Sequence, residues 1–413
     1  MEETEGRDRE RDSSSSHSRL KLKIGYLTTG DAQSALTWSG TPYFIANSLQ
    51  ANVGDIEFLG PLRSKWSPVL RALGFAVRGL TGHRILPNHS SKLAAELSRK
   101  AFAALSQHPV DLLFVTAGST LLAELPETDV PIVYSSDTTI RLICDYYPRY
   151  SRILKFSRRQ AELIEYAAIS RADLLLYPTR WAAQSAIDDY GADPGKVYVV
   201  PYGANLTDPP PSSERRSRSA DNSCRLLFVG VDWKVKGGQI AVETLQHLRR
   251  NGIDAELVIC GCTPPANIDM DGLTVIPFLN KHNSDDRKRL EKLYRQADFF
   301  LLPTRNECYG IVFCEAAAYG VPSIATRTGG VPDVVQEGVN GHLLPASASG
   351  SEYANLIAGI LADGDRYSAL RLSSRRVFEQ QLNWRVWGRE TAVLISQLMD
   401  ASGKHPSEPL RAF

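Results

Sequence analysis

The sequence predicts an α/β protein of two units, each a parallel sheet covered by helices, facing one another across a cleft. Short apolar runs alternate with amphipathic stretches of helical length, which is the pattern of strands buried on both faces. The alternation breaks once and then restarts. The 413 residues exceed one ordinary core and suit two units of roughly 150–200 residues.

Residues 1–19 are charged and serine-rich, without the apolar centre of a signal peptide, and read as a disordered arm. The first unit, 20–205, has strands at Leu22–Leu27, Leu112–Val115, Ile132–Tyr134, Leu174–Tyr177 and Val197–Val200. Helices are expected at Tyr43–Ala51, Ser91–Gln107, Ser151–Ser170 and Thr179–Tyr190. Residues 206–222 hold Pro209, Pro210 and Pro211, several serines and Arg215, Arg216 and Arg218, and read as a linker. The second unit, 223–383, restarts with strand Arg225–Val229, helix Gly237–Asn251 and strand Ala255–Cys260. Further strands follow at Leu273–Pro277, Phe299–Leu302 and Ser323–Ala325. A helix over 384–400 is expected to pack back on the first unit, and 401–413 is a polar tail.

Hydrophobic residues make up 43% and charged residues 23%, with a formal charge of +1, so no global field favours nucleic acid or acidic lipid. No run approaches the roughly 20 apolar residues of a membrane span. Six scattered cysteines without a secretory signal suit reduced thiols and a cytoplasmic location.

The stretch Phe299–Pro345 carries the chemistry. An apolar strand ends at Pro303, Glu307 lies in a polar loop, and Gly310 permits a tight turn into a helix over Ile311–Tyr319. Gly320 and Pro322 end that helix. Free amides at a helix start attract a phosphate. Glu307 and Glu315, on either side of that site, are suited to accept hydrogen bonds from sugar and ribose hydroxyls. The plainer reading is a solvated loop glutamate and an ordinary helix glutamate.

Glu307, seven residues, then Glu315, followed by Ala316, Gly320, Pro322 and Gly329–Gly330, resembles the signature of retaining glycosyltransferases of family 4. The resemblance implies the GT-B fold of two facing Rossmann-like domains. It is specific in the second unit and diffuse in the first. It implies that Glu307 holds hydroxyls of the donor sugar, Glu315 the ribose, and the amides of Tyr309, Gly310, Ile311 and Val312 the diphosphate. Lys236, before Gly237, matches the lysine that neutralises the diphosphate. The family's usual arginine is out of place, with Lys234 as its substitute. Asp333 stands where the family has glutamate. Gly329 and Gly330 are a donor floor or simply a turn. Phe278 and Leu279 flank the base or pack in the core.

In the first unit, Ser39-Gly40-Thr41 is either a loop bringing amides to the diphosphate or a plain turn. Asp137, in Tyr134–Thr139, is the candidate nearest sugar and acceptor, where many relatives carry a histidine; a helix N-cap is the alternative. Leu62–Arg84 holds Arg63, Lys65, Arg71, Arg78 and Arg84 with no acid, and Arg141–Arg159 is also locally basic. Each is a solvated surface or a binding face for an anionic acceptor or the inner face of a membrane. Asp269-Met270-Asp271 and Asp363-Gly364-Asp365 read as turns, and no histidine pair has metal-ligand spacing. Cys308, near a helix start, is a candidate for a lowered pKa.

The expected activity is retaining, metal-independent transfer of a sugar from a nucleotide diphosphate sugar, without cofactor, to a sugar, lipid or small-molecule acceptor. Glu307, Lys236 and Asp137 are its catalytic candidates. The rivals are an epimerase or phosphorylase of the same architecture, or a non-catalytic sugar-nucleotide-binding module.

Overall fold

The computed structural model describes residues 22–34, 37–211, 223–265, 268, 270–281 and 283–403. The arm, most of the linker, Asp269, His282 and most of the tail lie outside the described residues.

Two six-stranded sheets are present, and every pairing in both is parallel. The first contains β1 (Leu22–Thr28), β2 (Gly54–Phe58), β3 (Leu112–Thr116), β4 (Ile132–Ser135), β5 (Leu174–Tyr177) and β6 (Val197–Val199), in the order β2-β1-β3-β4-β5-β6. The second contains β7 (Cys224–Val229), β8 (Ala255–Cys260), β9 (Leu273–Ile276), β10 (Phe299–Leu302), β11 (Ser323–Thr326) and β12 (Gly341–Leu344), in the order β12-β11-β10-β7-β8-β9. Central strands such as Leu112–Thr116 and Phe299–Leu302 are buried throughout, as continuous apolar runs on a doubly covered sheet must be. In each sheet the winding reverses once, between β1 and β3 and between β7 and β10. Ligands of such sheets bind beyond the carboxyl ends of the strands at that reversal.

Several elements escape a reading of periodicity. Strands β2 (GDIEF) and β12 (GHLL) lie at sheet edges and hold only two apolar residues each. Helix Ser284–Gln296 is dominated by charge, although Asn283 caps it by accepting from the Asp285 and Asp286 amides. Asp363 is a helix cap rather than a free turn, accepting from the Arg366 amide at 3.0 Å to start helix Gly364–Gln380. The helix expected from Ser151 starts at Lys155, because the preceding residues are tied to Arg84: Leu154 N donates to Arg84 O at 2.8 Å. The basic segment Leu62–Arg84 contains a further helix, Trp66–Thr81.

The last helix, Trp384–Ala401, lies on the first unit against helix Thr41–Asn52. Ser48 Oγ donates to Trp384 O at 2.6 Å, and the Trp384 ring stacks on Phe44 and Tyr202 at 6.1 and 5.6 Å. The chain therefore passes between the units a second time near Leu382. That passage lies beside Gly203, where a Cβ would stand 2.2 Å from Trp384 N, and Ala204 N donates to Leu382 O at 3.0 Å.

Candidate active site

Loops after β1, β4, β7 and β10 close on a cleft of about 830 Å³ between the two sheets. From the second unit it is lined by Asp232, Lys236, Glu307 and Cys308, and from the first by Trp38, Ser39, His89, Asp137, Arg149 and Glu165, among others. The paired loops from β7 and β10 stand at the reversal of the second sheet.

Lys236 Nζ donates to Glu307 Oε2 at 2.5 Å. Both side chains are largely shielded, so each charge is offset by the other. The Glu307 loop is fixed from the opposite unit. Glu307 N donates to Tyr146 Oη at 2.9 Å, and Asn306 Nδ2 to Tyr146 O at 2.7 Å. Gly329 and Gly330 lie against the backbone of this loop. A Cβ on either would come within 2.1 Å of Glu307 O or 1.9 Å of Cys308 O, so only glycine admits this approach. Asp333 accepts from Arg180 Nε at 2.9 Å and from the Trp181 amide at 3.3 Å, so it too joins the units.

Asp137 faces this pair across the cleft. It is not the helix cap; Thr139 performs that task by accepting from Leu142 N. Burial, with the Glu307 charge added, pushes the Asp137 carboxyl up to about 7. Deeper in the first unit, burial also raises Glu165 to about 7, against hydrogen bonds from Ser119 and Tyr134. His89 enters the lining from the turn Pro87–His89, and burial lowers its imidazole to about 4. Sequence reasoning missed His89, Glu165 and Tyr146, because no local motif marks residues that only the fold brings to one cleft. The Cys308 expectation is overturned: burial raises the thiol well above its ordinary value, with Asp137 and Glu307 adding to the effect.

Other candidates stand outside this lining. Glu315 is fully buried, accepting from Tyr294 Oη at 3.0 Å and from Lys281 Nζ. Tyr309 is buried, its hydroxyl donating to Tyr202 O at 2.5 Å. Gly310 takes φ of 91° as the left-handed residue before helix Ile311–Ala318, while Ile311 and Val312 pack on the second core. Lys234 is exposed on a neighbouring groove. Phe278 is exposed and Leu279 belongs to the core. Gly40 is buried behind Trp38 and Ser39, and all three have positive φ (47°, 57° and 90°). Such strain persists only where the surroundings hold it; here Asn205 Nδ2 donates to Ser39 O at 2.8 Å.

Two family descriptions match the chain in tandem: "Glycosyltransferase Family 4" over residues 57–208 and "Glycosyl transferases group 1" over 223–363. The chain belongs to glycosyltransferase family 4. Among similar proteins, a D-inositol 3-phosphate glycosyltransferase of Xylanimonas cellulosilytica is 30% identical over 264 residues, 59% of this chain and 60% of that protein. One of Corynebacterium kroppenstedtii is 26% identical over 228 residues, 50% of each chain. The match thus spans only about half to three fifths of these family-4 relatives. Sucrose-phosphate synthase from Thermosynechococcus elongatus has the same fold, with a TM-score of 0.67 at 17% identity, covering 92% of this chain and 100% of that one. Anabaena HepE in complex with UDP and glucose gives 0.55 at 16% identity, covering 91% and 99%. These likenesses establish the GT-B fold of this family-4 chain.

Proposed function

We propose that this family-4 chain transfers a glycosyl group from a nucleotide diphosphate sugar to a hydroxylated acceptor, with retention at the anomeric carbon and without a metal. The reading rests on one observation: Lys236 and Glu307, from adjacent loops at the sheet reversal, face Asp137 across a cleft walled by both units. A diphosphate draws the Lys236 ammonium off Glu307, and the freed carboxylate accepts hydrogen bonds from the sugar hydroxyls. Lys236 and the amides opening helix Ile311–Ala318 then meet charge growing on the departing diphosphate. The acceptor oxygen forms its bond to the anomeric carbon on the face that the diphosphate leaves. The diphosphate takes the electrons of the broken bond, and one of its oxygens takes the acceptor's proton. Ionised Asp137 orients the acceptor hydroxyl.

For Glu315 we assign the ribose hydroxyls, reached when Lys281 moves aside. Arg149, at the cleft wall, favours an anionic acceptor. A phosphorylated polyol, the class in the relatives' name, is therefore the first acceptor to try.

The test is a screen of nucleotide-sugars for release of nucleoside diphosphate, with and without a chelator, followed by NMR of the new anomeric centre. Retention with full activity in chelator is expected. Inversion, chelator inactivation, or an isomerised donor with no released nucleotide defeats the corresponding part. Tight donor binding without any turnover supports a binding module instead.

A further inference from the structure

We propose that helix Trp66–Thr81 seats the protein on the surface of an anionic lipid bilayer. None of the sixteen residues of this helix is buried. Its inner edge, Ser67, Leu70, Gly74 and Val77, is only partly covered. Val69, Ala72, Leu73, Ala76 and Leu80 are all exposed, and they recur at intervals of three and four. That spacing aligns them as one stripe along the helix. The stripe faces solvent where a helix of a folded domain normally turns its apolar side to the core. Phe75 flanks it at 77% exposure, and Leu80 at its end is 86% exposed.

The charge around the stripe selects the occupant. Arg63, Lys65, Arg71, Arg78 and Arg84 surround it, and the segment Leu62–Arg84 has no acid. Among the described residues none of these five meets a carboxylate in an ion pair. Trp66, at the first turn, lies between the Lys65 and Lys92 ammoniums, 5.9 and 5.2 Å from its ring. An apolar stripe bordered by cations and an aromatic anchor is the composition of helices that lie in a lipid interface. A second copy of the chain on this face would press two single-sign clusters together, which opposes self-association.

The face extends toward the cleft. Arg84 is bonded to the Arg152–Leu154 turn, and the following helix, Lys155–Arg171, exposes Phe156 beside Lys155 and Arg159. His89 and Pro148–Tyr150, which adjoin these segments in the chain, line the cleft wall of the first unit. Docking therefore sets the mouth of the cleft beside the lipid surface.

The experiment is flotation of the full chain with vesicles of phosphatidylcholine alone and of phosphatidylcholine with phosphatidylglycerol in equal parts, at low and high salt. Binding is expected to favour the anionic vesicles by about tenfold or more and to weaken with salt. The double variant L73E/L80E and, separately, R71E/R78E are each expected to abolish that preference. Both pairs are exposed, so the fold is expected to survive, with an unchanged Tm as the control. Equal recovery on both vesicle types, no recovery on either, or full binding by both variants overturns the proposal. So does a concentration-dependent dimer that L73E/L80E disperses. Turnover of a soluble acceptor reports separately on the enzymatic reading and is expected to be unchanged in these variants.

Discussion

The Tyr146 hydroxyl of the first unit accepts the amide hydrogen of Glu307 in the second at 2.9 Å, and also pairs with Thr328 Oγ1 at 2.9 Å. A side chain of one unit thus sets the backbone of the principal carboxylate in the other. Tyr146→Phe removes the hydroxyl and leaves the Glu307 amide without its partner, at a cost of ~1–3 kcal/mol. Turnover is expected to fall about tenfold, more in kcat than in KM, because the loop is displaced rather than the donor site emptied. Steady-state kinetics with thermal unfolding checks this.

Lys236→Ala leaves the Glu307 carboxylate unpaired in the cleft and takes a cation from the diphosphate. A loss of at least about tenfold in kcat/KM is expected, with nucleoside diphosphate itself binding more weakly by calorimetry. Lys234→Ala, on the neighbouring groove, is expected to have a much smaller effect. Equal losses in the two variants would return the role of diphosphate cation to both lysines.

Glu315→Ala and Glu315→Gln separate binding from folding. The alanine strands the Tyr294 hydroxyl and the Lys281 ammonium and is expected to destabilise the chain by ~3 kcal/mol or more. Glutamine keeps an acceptor for both and is expected to remain folded while donor binding weakens. Denaturant unfolding beside nucleotide titration distinguishes the two effects.

Asp137 gives a signed pH dependence. Its carboxyl lies at about 7 in the fold against 3.8 without perturbation. Between those values the folded chain holds a proton that the unfolded chain has released. The stability contributed by this group therefore falls as pH rises through that window. Asp137→Asn carries no such charge, so its advantage in Tm over the parent is expected to grow from pH 4 to 7 and then level off. His89, lowered to about 4, works in the opposite direction in both proteins and cancels in the comparison. The proposed mechanism uses ionised Asp137, so turnover is expected to rise with pH through about 7. Glu307→Gln should move that midpoint down.

Gly330→Ala tests the backing of the Glu307 loop. A methyl 1.9 Å from Cys308 O forces the two segments apart. Loss of activity with Lys236 and Glu307 both intact is expected, and a crystal structure of the variant should show the Glu307 loop shifted.

Strands that hold a run of at least four apolar residues were legible. Ala255–Cys260 and Phe299–Leu302 have the boundaries that periodicity gave them. Edge strands β2 and β12 were not, since each holds only two apolar residues. Helix Trp66–Thr81 was hidden for a different reason: its apolar stripe does not face a core. At the cleft, the strand–loop–helix pattern picked out Glu307 and the resemblance to family 4 picked out Lys236 and Asp137; the first two meet in space and the third faces them. His89 and Glu165 reach the same cleft from distant turns and helices, and Tyr146 reaches the Glu307 loop in the same way. No periodicity encodes that convergence.

The chain crosses between its halves twice, and at Gly203 and Leu382–Trp384 the two crossings touch and share a hydrogen bond. With the Tyr146–Glu307 and Asp333–Arg180 bonds parted, the two bodies swing about this rivet like the blades of scissors, and a small rotation there becomes a wide travel at the tips. Bulk added at Gly203 would jam that rivet while leaving every residue that meets substrate untouched.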